Sequence, residues 1–125
     1  MKPFIDSTIV AAAFTPNENA ENCQNELRKG GVINGLVLIE SFDVIERITK
    51  DRGYALRAIK SIMGGNLEIV ELTNRLIFES IKRCSKYRLR IYDLIHYTTA
   101  LIKGCSSVVS YDKHFDSLEI KRKEP

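Results

Sequence analysis

The sequence contains no apolar run approaching the roughly 18 residues needed to span a bilayer, so a membrane-embedded chain is not expected. Its opening, Met1 to Asp6, lacks the long apolar stretch of a signal peptide, and a cytoplasmic location is the expectation. The three cysteines, Cys23, Cys84 and Cys105, are an odd and scattered set with no CxxC. They indicate neither a zinc site nor a disulfide framework, and are expected as reduced thiols packed like small apolar groups. There is no repeat, linker or low-complexity tract. The five Tyr and five Phe form no aromatic motif of the kind that stacks on bases. Excess charge is also small, at +3, and by itself says little about partners.

What is present suits one globular domain over residues 1–125, with 44% hydrophobic and 28% charged residues. Elements alternate between strand and helix. Phe4-Ile5 opens a short buried strand ending at Asp6, and Ser7 to Ala13 follows as a short helix. Thr15-Pro16-Asn17-Glu18 reads as a helix start, with Ala20, Cys23 and Leu27 on one face and Gly30-Gly31 as the stop. Val32-Ile33 is a minimal second strand. Leu36 to Lys50 is a helix, Gly53 interrupts, and Tyr54 to Met63 resumes until Gly64-Gly65. Leu67 to Leu72 alternates as a strand does. Thr73 caps a helix carrying Ile77, Ile81 and Cys84. Tyr92 to Lys103 is a helix stopped at Gly104, Ser107 to Tyr111 a Val-rich strand, and Ser117 to Lys121 a short edge strand. Short buried strands separated by helices imply an α/β domain with a mainly parallel sheet. Right-handed crossovers put the strand C-termini on one edge, where ligands bind.

Four acids follow apolar runs directly or by one residue: Asp6, Glu40, Asp93 and Asp112. A carboxylate at the border of a core is costly unless cations or hydrogen-bond donors compensate it. Asp6 and Asp112 fall at strand C-termini, Glu40 early in the helix after the second strand, and Asp93 in the first turn of its helix. All four can therefore point into one crevice, where a divalent metal is the simplest group that holds them together. Blander readings exist for each. Asp6 can cap a helix, Asp93 can complement a helix dipole, Glu40 can pair with a base on its own helix, and Asp112 can start a turn. Asp6, Glu40 and Asp112 nevertheless occupy equivalent places after three different strands, which capping alone does not require. Lys82, Arg83, Lys86, Arg88 and Arg90 cluster before Asp93, either as a surface for phosphates or as a solvated face.

These segments resemble one family along essentially the whole chain. Phe4-Ile5-Asp6-Ser7 resembles the opening strand and first acid of PIN-domain ribonucleases. Leu36 to Glu40 resembles the helix that carries their Glu, and Tyr92 to Ala100, followed by Gly104, their third-acid segment. Ser110 to Asp116, followed by Ile120-Lys121-Arg122 and Pro125, resembles their closing signature. Size and motif order are most similar to VapC-type toxins of bacteria and archaea. Two positions depart from the family pattern. Leu94 stands where a small residue is usual, and Asn34-Gly35 where a hydroxyl residue often precedes the Glu-bearing helix.

The resemblance implies a PIN-like three-layer α/β/α domain that hydrolyses RNA phosphodiesters, with Asp6, Glu40, Asp93 and Asp112 in a site for Mg²⁺ or Mn²⁺. It also implies a VapB-type antitoxin and a homodimer, with apolar residues between Leu36 and Met63 as candidate interface. Ser7 and Ser110 are candidates to orient carboxylates, and Asp116 is a candidate fifth acid. His96 and His114 invite a general-base reading, but a metal-activated water needs no histidine. Alternatives are a processing nuclease without a toxin role, a non-cleaving PIN-like binding domain, and a receiver-like phosphoacceptor. The last wants an acidic pair near the start, and Asp6 has no acidic neighbour.

Overall fold

The computed structural model describes residues 1–125. Five strands form one sheet in the order β3-β2-β1-β4-β5, every neighbouring pair parallel. The strands are β1 (Phe4–Ile5), β2 (Gly31–Asn34), β3 (Leu67–Val70), β4 (Val108–Val109) and β5 (Arg122–Lys123). Helices α1 (Ser7–Ala13) and α2 (Ala20–Lys29) lie between β1 and β2, and α3 (Gly35–Thr49) and α4 (Arg52–Met63) between β2 and β3. Helices α5 (Asn74–Ile81) and α6 (Ile91–Ile102) lead to β4. The path moves one way from β1 to β3 and then jumps back across β1 to β4. Right-handed crossovers therefore place α1 to α4 on one face and α5 and α6 on the other, which gives the three-layer α/β/α arrangement. The reversal between β1 and β4 is the point where such sheets open a crevice at their carboxyl edge.

The sheet's centre is dry. Phe4, Ile5, Ile33, Val108 and Val109 are fully buried, as is usual for a parallel sheet covered on both faces. Helix α6 is buried continuously from Leu94 to Ala100. Within it the Thr99 hydroxyl donates to Ile95 O (2.8 Å), while the Thr98 hydroxyl is buried without a partner. No helix is long and apolar enough to cross a membrane.

Local chemistry shifts several boundaries from the sequence reading. Thr15 does not start a helix. Its hydroxyl donates back to Ala11 O (3.0 Å), while the Asn17 amide donates to Ala12 O and Thr15 O, both at 2.9 Å. These bonds wind 14–19 into turns, and α2 begins at Ala20. Gly53 does not interrupt the chain, for it lies inside α4. The break comes from Lys50, at φ 55°, and from Asp51, whose carboxylate caps the Tyr54 N–H (2.9 Å). The edge strand is Arg122–Lys123 rather than 117–121. Ser117 adopts φ 64°, and the Ile120 N–H goes to the Tyr97 hydroxyl (2.9 Å) instead of a neighbouring strand. Thr73 caps α5 through the Leu76 N–H (3.0 Å), but α5 ends at Ile81, short of Cys84. All three cysteines are free; Cys23 and Cys105 are buried, whereas Cys84 is exposed.

Gly30 and Gly31 end α2 and enter the sheet. Gly30 has φ 90°, and a Cβ on Gly31 would stand 2.9 Å from both Pro3 O and Ile5 Cδ1. The carbonyl belongs to the backbone entering β1 and cannot swing aside. Gly31→Ala should therefore destabilise the fold by about 1–3 kcal/mol, the usual cost of overpacking. Urea denaturation of the two proteins checks this.

Candidate active site

Asp6 sits at the end of β1, 3% exposed, with its backbone N–H bonded to Val109 O (3.0 Å). It occupies the cap position of α1, yet its carboxylate makes no capping bond. Oδ2 instead accepts from the Ser110 hydroxyl (2.7 Å) and the Thr8 hydroxyl (3.0 Å). Those hydroxyls also accept from the loop after β4: Asp112 N–H donates to Ser110 Oγ (2.9 Å) and Tyr111 N–H to Thr8 Oγ1 (3.3 Å). Two small side chains thus staple the first acid to the strand end that carries the fourth.

Glu40 lies one turn into α3. Its Oε1 is 2.7 Å from His96 Nε2, and atoms of Asp6, Glu40 and His96 suited to a metal lie within 4.8 Å of one another. Burial alone pushes the Glu40 carboxyl up. The hydrogen bond from His96, the charge of that ring when protonated, and the hydrogen bond from Ser7 together outweigh it and leave the carboxyl below the ordinary range. Asp93, in the first turn of α6, and Asp112, at the end of the β4 loop, form a second group with His114, again within 4.8 Å. Asp112 Oδ1 caps the short turn Lys113–Phe115 through the His114 N–H (2.9 Å). The His114 ring faces both acids, Nδ1 lying 3.1 Å from Asp112 and 3.4 Å from Asp93.

The two groups share one crevice. Glu40, Asp93 and Asp112 line a cleft with Arg90, Ile91, Tyr92 and His114. Asp6 is close enough that its charge, after burial and the nearer charge of Asp112, helps to raise the Asp93 carboxyl. None of the four acids pairs with a Lys or Arg; their only basic contacts are the two histidines. A set of oxygen donors with excess negative charge fits a hard divalent cation such as Mg²⁺ or Mn²⁺. Asp116 stands apart, its carboxylate 2.7 Å from Arg122 Nε.

Sequence reasoning overlooked three contributors. Thr8 carried no signal beyond ordinary helix-start chemistry, and Asn34 stood out only as a departure from the family's usual hydroxyl residue, with no role attached. Arg122 read only as part of the closing signature, yet its guanidinium is mostly buried and donates to Ser110 O (2.9 Å), Asp116 and Glu124 (2.9 Å). It braces the loop that presents Asp112. The basic cluster before Asp93 divides. Lys82 and Arg83 pair with Glu79, and Lys86 with Glu119, whereas Arg88 and Arg90 are exposed without an acidic partner.

The opposite shifts of Glu40 and Asp93 give opposite pH signatures. The lowered Glu40 carboxyl contributes stability that is complete above its unfolded value and lost as pH falls through the folded one. The raised Asp93 carboxyl imposes a cost that is absent below its unfolded value, grows as pH rises through the window up to the folded value, and is complete above it. In the metal-free protein at pH 7, Asp93→Asn should raise stability by about 1 kcal/mol, roughly 4 °C in Tm. The gain should shrink towards pH ~4, the ordinary aspartate value. Thermal melts across that range check it.

The family model for the PIN domain matches residues 4–121. Among solved structures, VapC20 of Mycobacterium tuberculosis, a sarcin–ricin loop cleaving toxin, superposes with a TM-score of 0.81 at 15% identity, covering 98% of each chain. A chain of a toxin–antitoxin complex from Klebsiella pneumoniae superposes with a TM-score of 0.75 at 13% identity, over 95% of this chain and 94% of that one. No curated protein matches the sequence at a significant level. With the family model matched across nearly the whole sheet and all four acids, the chain belongs to the PIN domain family.

Proposed function

We propose that this protein is a divalent-metal-dependent endoribonuclease, the toxin of a VapBC-type toxin–antitoxin pair, with Asp6, Glu40, Asp93 and Asp112 as its metal-binding and catalytic carboxylates. The observation that carries the reading is the convergence of these four acids at the carboxyl edge of a PIN-family sheet, with no Lys or Arg to neutralise them. The superposition on two toxin structures supports the toxin assignment. When bound, Mg²⁺ or Mn²⁺ supplies Lewis acidity, making a nucleophile from water and offsetting charge on the phosphate. The chain's own residues do the rest. Ser110 and Thr8 hold one oxygen of Asp6 and orient the other, and His96 does the same for Glu40. Asp93 and Asp112 close the site from α6 and the β4 loop. Arg90, which lines the cleft, and Arg88, exposed two residues before it, would bind RNA phosphates.

A nuclease with an open acidic cleft endangers its own cell, and the antitoxin is the restraint. A segment offering Arg to the carboxylates would compete with the metal, since the planar guanidinium meets a carboxylate in a bidentate way. The protein would act in the cytoplasm, where its RNA target resides, and as a homodimer. Ile39, Ile48, Leu56 and Met63, all half or more exposed on α3 and α4, supply apolar surface for that pairing. Light scattering at micromolar concentration should give about twice the 14.2 kDa chain mass, and a monomer mass throughout would refute the dimer.

Asp6→Asn should cut RNA cleavage by roughly 100-fold or more while leaving the far-ultraviolet spectrum unchanged, because the amide keeps the shape but loses the charge. In the wild type, Mg²⁺ at about 100 times its Kd should stabilise the fold by about 2.7 kcal/mol. Full cleavage in excess chelator would defeat the metal reading. A chain that cleaves RNA but leaves growth unchanged when expressed alone would defeat the toxin reading and favour a processing nuclease.

A further inference from the structure

Asn34 departs from the hydroxyl residue often found before the Glu-bearing helix, and it is completely buried. Its orientation is fixed by its surroundings. Oδ1 accepts from the backbone N–H of Val37 (2.9 Å), a group that can only donate. The amide nitrogen therefore faces Thr99 Oγ1 (2.9 Å) and His96 Nδ1 (3.2 Å). The Thr99 hydroxyl spends its own hydrogen on Ile95 O (2.8 Å), so it accepts from Asn34. The second amide hydrogen points at Nδ1, which must offer a lone pair. The ring proton then resides on Nε2, 2.7 Å from Glu40 Oε1. Every hydrogen in the series has one direction, from the backbone of α3 to the carboxylate. The ring itself is 1% exposed and lies against Phe4, with ring centres 5.6 Å apart, so it has no room to turn over.

We propose that Asn34 and His96 form a positioning relay that holds Oε1 of Glu40 and presents the carboxylate to the cation, and that His96 is neither a metal ligand nor a general base. This inference rests on the nuclease reading of the cleft. Proximity alone places His96 Nε2 in the same metal-sized group as Asp6 and Glu40. The relay assigns that nitrogen a hydrogen instead of a free lone pair, and so leaves only oxygen donors in the group of Asp6 and Glu40, as suits Mg²⁺ or Mn²⁺. Glu40 has three rotatable side-chain bonds and is partly exposed, so an untethered carboxylate would lose rotamer freedom on every binding event. A ring held by a buried amide removes that cost in advance. Asn34 suits the role because its amide has a hydrogen for Thr99 and another for the ring, whereas Ser or Thr could cap α3 equally well but has a single hydrogen, on a shorter side chain, for the same two acceptors.

The test uses the full chain labelled with ¹⁵N at histidine. There are two histidines, and His96→Phe identifies the signals of His96. Long-range ¹H–¹⁵N spectra should show the His96 proton on Nε2, both without metal and with saturating Mg²⁺. Asn34→Ser keeps the cap but cuts the relay. It should let the proton distribute between the two nitrogens and weaken Mn²⁺ binding, measured by calorimetry, by roughly 10-fold, as loss of such outer contacts does. His96→Gln, which can still donate towards Glu40, should recover part of the Mn²⁺ affinity that His96→Phe loses. A proton on Nδ1 in the wild type, loss of the Nε2 proton on adding Mg²⁺, or unchanged Mn²⁺ affinity in Asn34→Ser would each overturn the relay while leaving the nuclease reading intact. A wild-type chain that binds neither cation would instead overturn the metal site, and with it the relay's role.

Discussion

Mutual repulsion among like charges is the constraint around which this molecule is built. Asp6, Glu40, Asp93 and Asp112 come from four separate segments and meet at one sheet edge, where burial disfavours the ionised forms of Glu40 and Asp93. The chain neutralises none of them with Lys or Arg. It meets the cost with hydroxyls, one buried imidazole and the covalent rigidity of strand ends. The half of the cluster made by Asp6 and Glu40 is well supplied with donors. The half made by Asp93 and Asp112 is not, and the raised Asp93 carboxyl is where the residual strain is held. Sites of this kind exchange fold stability for affinity towards a cation.

The four acids were legible because each breaks a local rule: a charge ends an apolar run at a place where α/β topology gathers ligands. The fold was legible for a related reason. Short Val- and Ile-rich runs alternating with capped helices leave few arrangements other than a parallel sheet. The PIN resemblance supplied the rest, and the family match over residues 4–121 agrees with it.

The supporting residues were not legible, because their roles depend on contacts remote in sequence. Asn34 looks like any cap until His96, 62 positions away, is seen against its amide nitrogen. Arg122 looks like a solvated base until its guanidinium is found inside the loop before it. The boundaries that shifted have a common cause. At Asn17 and Lys50 a side-chain bond or a left-handed backbone overrode the signals of neighbouring Pro and Gly, and at Ser117 a left-handed backbone broke the expected edge strand. Asp116 illustrates the same limit from the other side. It is a candidate fifth acid by sequence, and only the Arg122 contact shows where its carboxylate is engaged.

The hydrogen bond between Ser110 and Asp6 joins residues 104 positions apart. It can form only when β4 has docked beside β1 at the centre of the sheet. Long-range parallel pairing is among the slower events in folding, because loop closure comes before any contact that rewards it. Without that docking Asp6 keeps only the Thr8 hydroxyl beside it and has neither the Ser110 hydroxyl nor the Asp112 loop in place. The four carboxylates thus come together only once β4 has closed onto the sheet, so the cleft is a property of the complete fold and of no shorter part of it.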